Sequence, residues 1–232
     1  MAASEIVVPS HPYYPINIKL VGYIPNEYGV LELVSMFGAG CAVILAATLC
    51  VVQFTAPKIR GADKLAVLWF VLTASIHLWF EGYFAYNHTR MPAMTDLFGQ
   101  LWKEYSHADS RYLTSDPFVL CMETITAALW GPLSYFLIYL ILKESPYRHP
   151  IQMIVSGGQI YGDILYYSTS WFNEHFFGLN YCRPEAYYYW FYYFFMNFIW
   201  LIVPGYYLQD SVKTIASAFR KLNVLEGSQK KR

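Results

Sequence analysis

Five stretches of this chain, roughly residues 30–54, 65–86, 118–142, 150–170 and 186–208, stay predominantly apolar throughout their length. About 20 such residues in a helix cross a ~30 Å hydrocarbon core. Lipid offers no partner to a free backbone N–H or C=O, so segments that cross it close their hydrogen bonds internally. The expected fold is therefore all-α: a polytopic membrane protein, one membrane domain over residues 1–232, built as a five-transmembrane-helix bundle. Composition agrees, with 56% hydrophobic and only 14% charged residues, where a typical soluble domain carries about 25% charged. The first two stretches are the clearest and the fourth is the least apolar.

The remaining composition excludes more than it suggests. Lys+Arg and Asp+Glu balance at 16 each, so nothing points to nucleic acid or another polyanion. Cys41, Cys50, Cys121 and Cys182 form no CxxC pair and predict no disulfide framework. The polar, Pro-rich start, "VPSHPYYPINIKLVGYIPNEYG", lacks the basic onset and early apolar core of a cleavable signal. No internal repeat is visible.

Five crossings put the termini on opposite sides, and basic residues set the direction. One side holds five (Lys19, Arg90, Lys103, Arg111, Arg183); the other holds eleven, from Lys58, Arg60 and Lys64 to the Lys230-Lys231-Arg232 end. The eleven-residue side is expected in the cytoplasm, with residues 209–232 as a basic cytoplasmic tail and the N-terminus luminal. The Asn87-His88-Thr89 sequon then faces the lumen but sits too close to span two for use.

Ionisable groups are costly in a bilayer and normally face the bundle interior. Span two carries Thr73, His77 and Glu81 at i, i+4 and i+8, one stripe of an α-helix. Span three carries Glu123 and Thr126, span four Gln159 and Asp163, span five Asn197 and Trp200 beside the aromatic run "YYYWFYYFF". Four consecutive spans thus each present a polar pair, and the economical arrangement turns them toward one cavity. Span one has only Glu32 near its end; its "GAGCA" suits close helix packing and a possible homodimer.

Three chemistries fit such a pocket. His77, Glu81, Glu123 and Asp163 form a conceivable carboxylate-rich metal site, although a single mid-span histidine is a poor start for one. A proton or ion pathway also uses intramembrane acids, but transporters usually show repeats and broken helices. Acid–base catalysis on a lipid needs a buried proton donor, an acceptor and a wall that tolerates a cation, here Trp200. That combination suits double-bond migration in a hydrophobic molecule. For Gln159 and Asp163 alone, interhelical hydrogen bonding is the simpler reading.

"HPYYP", "IHLWFEGYF", "LWKEYSHADSRY", "CMETITAALWGPLS", "QIYGDILY" and "FMNFIWLIVPG" together resemble the emopamil-binding protein (EXPERA) family, in the family's order over residues 11–208. The resemblance implies a five-helix endoplasmic-reticulum enzyme, a 3β-hydroxysteroid Δ8–Δ7 isomerase that needs no metal or other cofactor. It implies protonation of a Δ8 sterol at carbon 9, a cation at carbon 8 and proton loss from carbon 7. The family's essential positions match His77, Glu81, Glu123, Thr126 and Asn197, with Trp200 facing the cation; Thr73 and Tyr193 are expected on the substrate wall. His77 and Glu123 would handle protons, Glu81 would stabilise the cation or relay, and Thr126 and Asn197 would orient them. Which group is acid and which base stays open. The resemblance also implies binding of cationic amine inhibitors that mimic the carbocation. For Lys103, Glu104, Asp109, Ser110 and Arg111 the expectation is loop packing and ion pairing. The rival reading is a non-catalytic sterol- or amine-binding relative, like the sigma-two receptor.

Overall fold

In a computed structural model that describes residues 11–229, every regular element is helical. We number them α1 (Val30–Thr55), α2 (Gly61–Asn87), α3 (Leu97–Tyr105), α4 (Pro117–Leu142), α5 (Arg148–Phe177) and α6 (Tyr188–Ser228). Short polar side chains start several of them: Asp96 accepts from the N–H groups of Phe98 and Gly99, and Asp116, followed by Pro117, accepts from Phe118 and Val119. Gly178, at φ +65°, ends α5 in the left-handed conformation that favours glycine.

Four helices, α1, α2, α4 and α6, are both long and apolar enough to cross a membrane. The fifth expected span, α5, has 30 residues but not the hydropathy. The cause is its inner face, where Gln152, Ser156, Gln159 and Asp163 are all buried. The last helix also continues past residue 208, the expected end of its span, as far as Ser228. Of the expected tail, Lys230, Lys231 and Arg232 lie outside the described residues.

Two apolar clusters hold the bundle, one at each end. One gathers Phe84, Val119, Tyr166, Tyr192 and Tyr193 with Trp102 and Tyr112; the other gathers Val52, Phe70, Leu137, Val155 and Tyr207. Chain direction alternates between them: α2 runs from the second cluster to the first, α4 returns, α5 goes out again and α6 comes back. On each of these four helices the polar pair falls between its two cluster residues. The polar groups therefore form a middle layer closed above and below by apolar packing. At the second cluster's end, Asp63 bonds Arg148 at 2.5 Å and Arg60 at 2.7 Å, fastening the start of α2 to the start of α5.

Three helices are not α-helical throughout. Ile76–Glu81 in α2, Thr126–Trp130 in α4 and Tyr188–Phe195 in α6 are π-helical, with i→i+5 bonds. In α4 the cause is local: Pro132 lacks an N–H and its ring crowds the carbonyl four residues back, so a wider turn precedes it. The first two π turns pack on each other at Gly131, where a Cβ would stand 3.1 Å from the Leu78 nitrogen. The expected strict 3.6-residue stripe in span two is thus interrupted at its functional end.

Span one also departs from expectation. Added Cβ atoms at Gly38 and Gly40 meet nothing within 4 Å, so its small residues face outward and mediate no close helix contact within the chain. Close approach occurs instead at Gly158 of α5, whose Cβ would collide with the Trp130 ring. Gly158→Ala is expected to displace that ring and cost about 1–3 kcal/mol as overpacking. Gly157→Ala, in open space, is expected to be neutral or to stabilise by up to ~1 kcal/mol through helix propensity. Thermal unfolding of the two variants in the same detergent checks the contrast.

Residues 11–28 and 88–116 close the first cluster's end. The Lys103 ammonium donates to the Ile24 carbonyl at 2.6 Å and the Tyr13 hydroxyl to the Lys103 carbonyl at 3.1 Å. The Gln100 amide oxygen accepts from the Glu27 N–H at 2.8 Å. Burial lowers the Lys103 pKa from its ordinary value, and burial together with the Arg183 charge pushes His107 down to about 4. Arg111, 1% exposed, grips Asp109, 0% exposed, at 2.6 Å and donates to Thr169 at 2.9 Å. Asn87 of the sequon is buried, its amide donating to the Tyr83 carbonyl at 2.8 Å.

Candidate functional site

The polar middle layer lines two cavities that share a wall. The larger, about 330 Å³, lies among α1, α2, α3 and α6 and is mainly apolar, with Leu33, Phe37, Leu72, Met196 and Ile199 on its surface. The smaller, about 70 Å³, lies toward α5 and is more polar, with Gln159 and Asp163. Glu81, Tyr112, Glu123, Asn197 and Trp200 border both. A concave apolar space with a few convergent polar groups is the usual form of a small-molecule site.

Hydrogen bonds fix the wall. His77 Nδ1 lies 2.6 Å from Glu81 Oε2, so the expected same-face contact forms within the π turn. The same carboxylate oxygen accepts from the Thr126 hydroxyl, which is also 2.9 Å from the Glu123 carbonyl and 3.4 Å from Glu123 Oε2. Tyr112 donates to Glu123 Oε1 at 2.6 Å. Behind the imidazole, Gln159 Nε2 sits 3.1 Å from His77 Nε2. With the amide in this orientation its N–H points at Nε2, which in a neutral imidazole leaves the ring proton on Nδ1, facing Glu81. The Trp200 ring lies 4.9 Å from the His77 ring, centroid to centroid, and 5.7 Å from Trp69. Among the described residues neither Glu81 nor Glu123 pairs with a lysine or arginine: histidine is the one basic group in contact.

His77, Glu81, Glu123, Thr126 and Trp200 therefore come together, and Thr73 lies on the wall of the larger cavity. Asn197 borders both cavities but bonds no carboxylate. Its amide donates to the Tyr193 carbonyl at 2.7 Å and to the Tyr105 hydroxyl at 3.0 Å. The π turn just before it shifts the ladder, and the side chain takes up a displaced carbonyl. Tyr193, expected on the substrate wall, lines neither cavity. It packs against Tyr166 and Tyr167 at 5.9 and 5.4 Å, while its neighbour Tyr192 lines the larger space.

Sequence reasoning missed α3. Trp102, Glu104 and Tyr105, with Tyr112 just beyond, roof the larger cavity, so part of the "LWKEYSHADSRY" motif belongs to the site. Lys103, Asp109, Ser110 and Arg111 of the same motif line neither cavity and are buried in protein. The Glu104 carboxyl is raised by burial above its ordinary range, although Tyr192 donates to it at 2.9 Å. Trp102 and Tyr105, three residues apart and so on one face of a helix, are the signal that could have revealed the roof. No group of three His, Cys, Asp or Glu side chains among the described residues is placed to hold a metal ion.

Comparison with known proteins agrees with the expected family. Residues 97–211 match the family model described as EXPERA (EXPanded EBP superfamily). The 3-beta-hydroxysteroid-Delta(8),Delta(7)-isomerase of Mus musculus is 39% identical, over 91% of each chain. The proteins of that name from Rattus norvegicus and Cavia porcellus are 38% and 37% identical, over 91% and 93% of each chain. The chain belongs to the EXPERA family.

Proposed function

We propose that this protein is a sterol Δ8–Δ7 isomerase of sterol biosynthesis, an integral membrane enzyme of the endoplasmic reticulum. The observation that carries the proposal is a pair of buried carboxyls, Glu81 and Glu123, bridged by one hydroxyl and lacking any lysine or arginine partner. They face an apolar cavity beside an indole ring. Such a site lacks a cation of its own and suits one that forms on the substrate.

In the proposed reaction a proton adds to carbon 9, using the C8=C9 electron pair and leaving the cation at carbon 8. Loss of the carbon 7 proton returns its bonding pair as C7=C8, so no cofactor enters the balance. His77 and Glu123 handle the protons, and Glu81 stabilises the cation and links the two through Thr126. Trp200 covers the cation; Thr73 and Tyr192 shape the wall. Asn197 acts at one remove, by holding Tyr105 of the roof. The same carboxylates would take the ammonium of a bulky amine in place of the carbocation.

Five crossings fit the alternation of the helices between the two apolar clusters better than four. Helix α5 joins α4 to α6 and runs between the same two clusters, and 30 residues extend about 45 Å. The basic-residue asymmetry then puts the Arg60–Asp63–Arg148 end in the cytoplasm and residues 11–28 in the lumen. The outward small residues of α1 are where a homodimer contact would form.

Expression in cells lacking Δ8–Δ7 isomerase is expected to restore Δ7 sterols. A well-expressed protein that binds sterol or amine but restores none would favour the non-catalytic reading.

A further inference from the structure

The smaller cavity is bordered by His77, Thr126 and the shared wall, but its α5 side has no part in the reaction as proposed, and the chemistry of that side is unusual for a membrane interior. Asp163 is 8% exposed and Gln159 5%, and both reach this space from α5. Asp163 Oδ2 and Gln159 Oε1 have no hydrogen-bond partner among the described residues. Leaving such groups unpaired in an apolar interior costs on the order of 1–3 kcal/mol each, and a polar space of about 70 Å³ has room for water that would satisfy them. Only one wall, Glu81, Glu123, Tyr112, Asn197 and Trp200, separates that space from the larger cavity. Gln159 already touches His77. Its amide offers N–H to a neutral imidazole and, turned over, Oε1 to an imidazolium, so it can follow both protonation states.

We propose that this cavity is a hydrated proton-exchange chamber behind the acid–base groups, with Asp163 as its proton-bearing group and Gln159 as the link to His77. The inference rests on the isomerase reading and concerns how the site resets. Each turnover leaves the donor without its proton and the acceptor with one extra. Water and Asp163 take the surplus proton from one group and return a proton to the other, and in doing so exchange it with solvent. Asp163 touches no substrate; it acts through His77, Glu81 and Glu123.

The test is turnover of a Δ8 sterol in D₂O by the full-length protein in nanodiscs, with deuterium at carbon 9 of the product measured by mass spectrometry. Wild type is expected to deuterate most product. Asp163→Asn, which cannot carry the proton, is expected to lower the deuterated fraction at least twofold, because the protium removed from carbon 7 is then recycled within the His77–Glu81–Thr126–Glu123 network. Asp163→Glu is expected to restore it, which a purely structural role would not predict. Gln159→Leu gives an independent variant and is expected to lower the fraction in the same direction. Deuteration unchanged in both Asp163→Asn and Gln159→Leu overturns the inference, whatever happens to the rate. Absence of any Δ7 product from folded wild type overturns the isomerase reading beneath it.

Discussion

Glu123→Gln and Glu81→Gln are each expected to lower the turnover of a Δ8 sterol by roughly 10²–10⁴-fold, the range of general acid–base catalysis. Glutamine keeps the size of the side chain and can still accept from Tyr112 or from His77. It cannot exchange a proton or carry negative charge beside a forming cation. Sterol binding should change little, since the substrate is neutral and its contacts in the larger cavity are largely apolar. Affinity for a cationic amine should fall along with turnover, because the amine depends on the same charge. Near-normal turnover in both variants would sink the carboxylate mechanism.

Arg111→Ala is expected to damage the protein without touching the site. Arg111 and Asp109 are a fully buried pair, and Asp109 also accepts the Arg111 backbone N–H at 3.0 Å. Removing one member of a buried pair leaves the other uncompensated and costs about 3–5 kcal/mol. In a chain of this length that corresponds to roughly 6–20 °C in unfolding temperature. Asp109→Asn combined with Arg111→Met leaves no orphaned charge and should cost less than Arg111→Ala alone. Unfolding measured in detergent separates the two; equal losses would show that the charge pairing is immaterial.

These two predictions mark what was legible in the residues and what was not. His77 and Glu81 could be read as neighbours because four residues return to the same face, and the contact survives the π turn that contains it. The polar pairs of four helices could be assigned to one interior because charge in an apolar surrounding has nowhere else to go. The role of the "LWKEYSHADSRY" segment could not be read that way. The packing and ion pairing expected of its charges are found in Lys103 and in the Arg111–Asp109 pair. Its cavity-lining residues could not be foreseen, because the segment is held in place by Tyr13 and Ile24, some 80–90 positions away in the chain. Tyr192 and Tyr193 could not be told apart either. A run of aromatic residues has no polar phase to read, and π winding rotates whatever phase remains. Pro132 was a visible sign of irregular winding in α4; α2 carries no comparable sign. The fourth expected span is hard to recognise because its inner face is polar, and two of the residues that lower its hydropathy, Gln159 and Asp163, line the smaller cavity.

The carboxyl-lined cavity is proposed to move a ring double bond. Purified protein in lipid nanodiscs, given a Δ8 sterol without added cofactor, tests it most directly when the sterols are separated chromatographically and identified by mass spectrometry. A Δ7 sterol of unchanged mass is expected, formed by wild type and lost in Glu123→Gln. Recovery of the Δ8 sterol unaltered, from folded protein shown to bind it, would overturn the proposed activity.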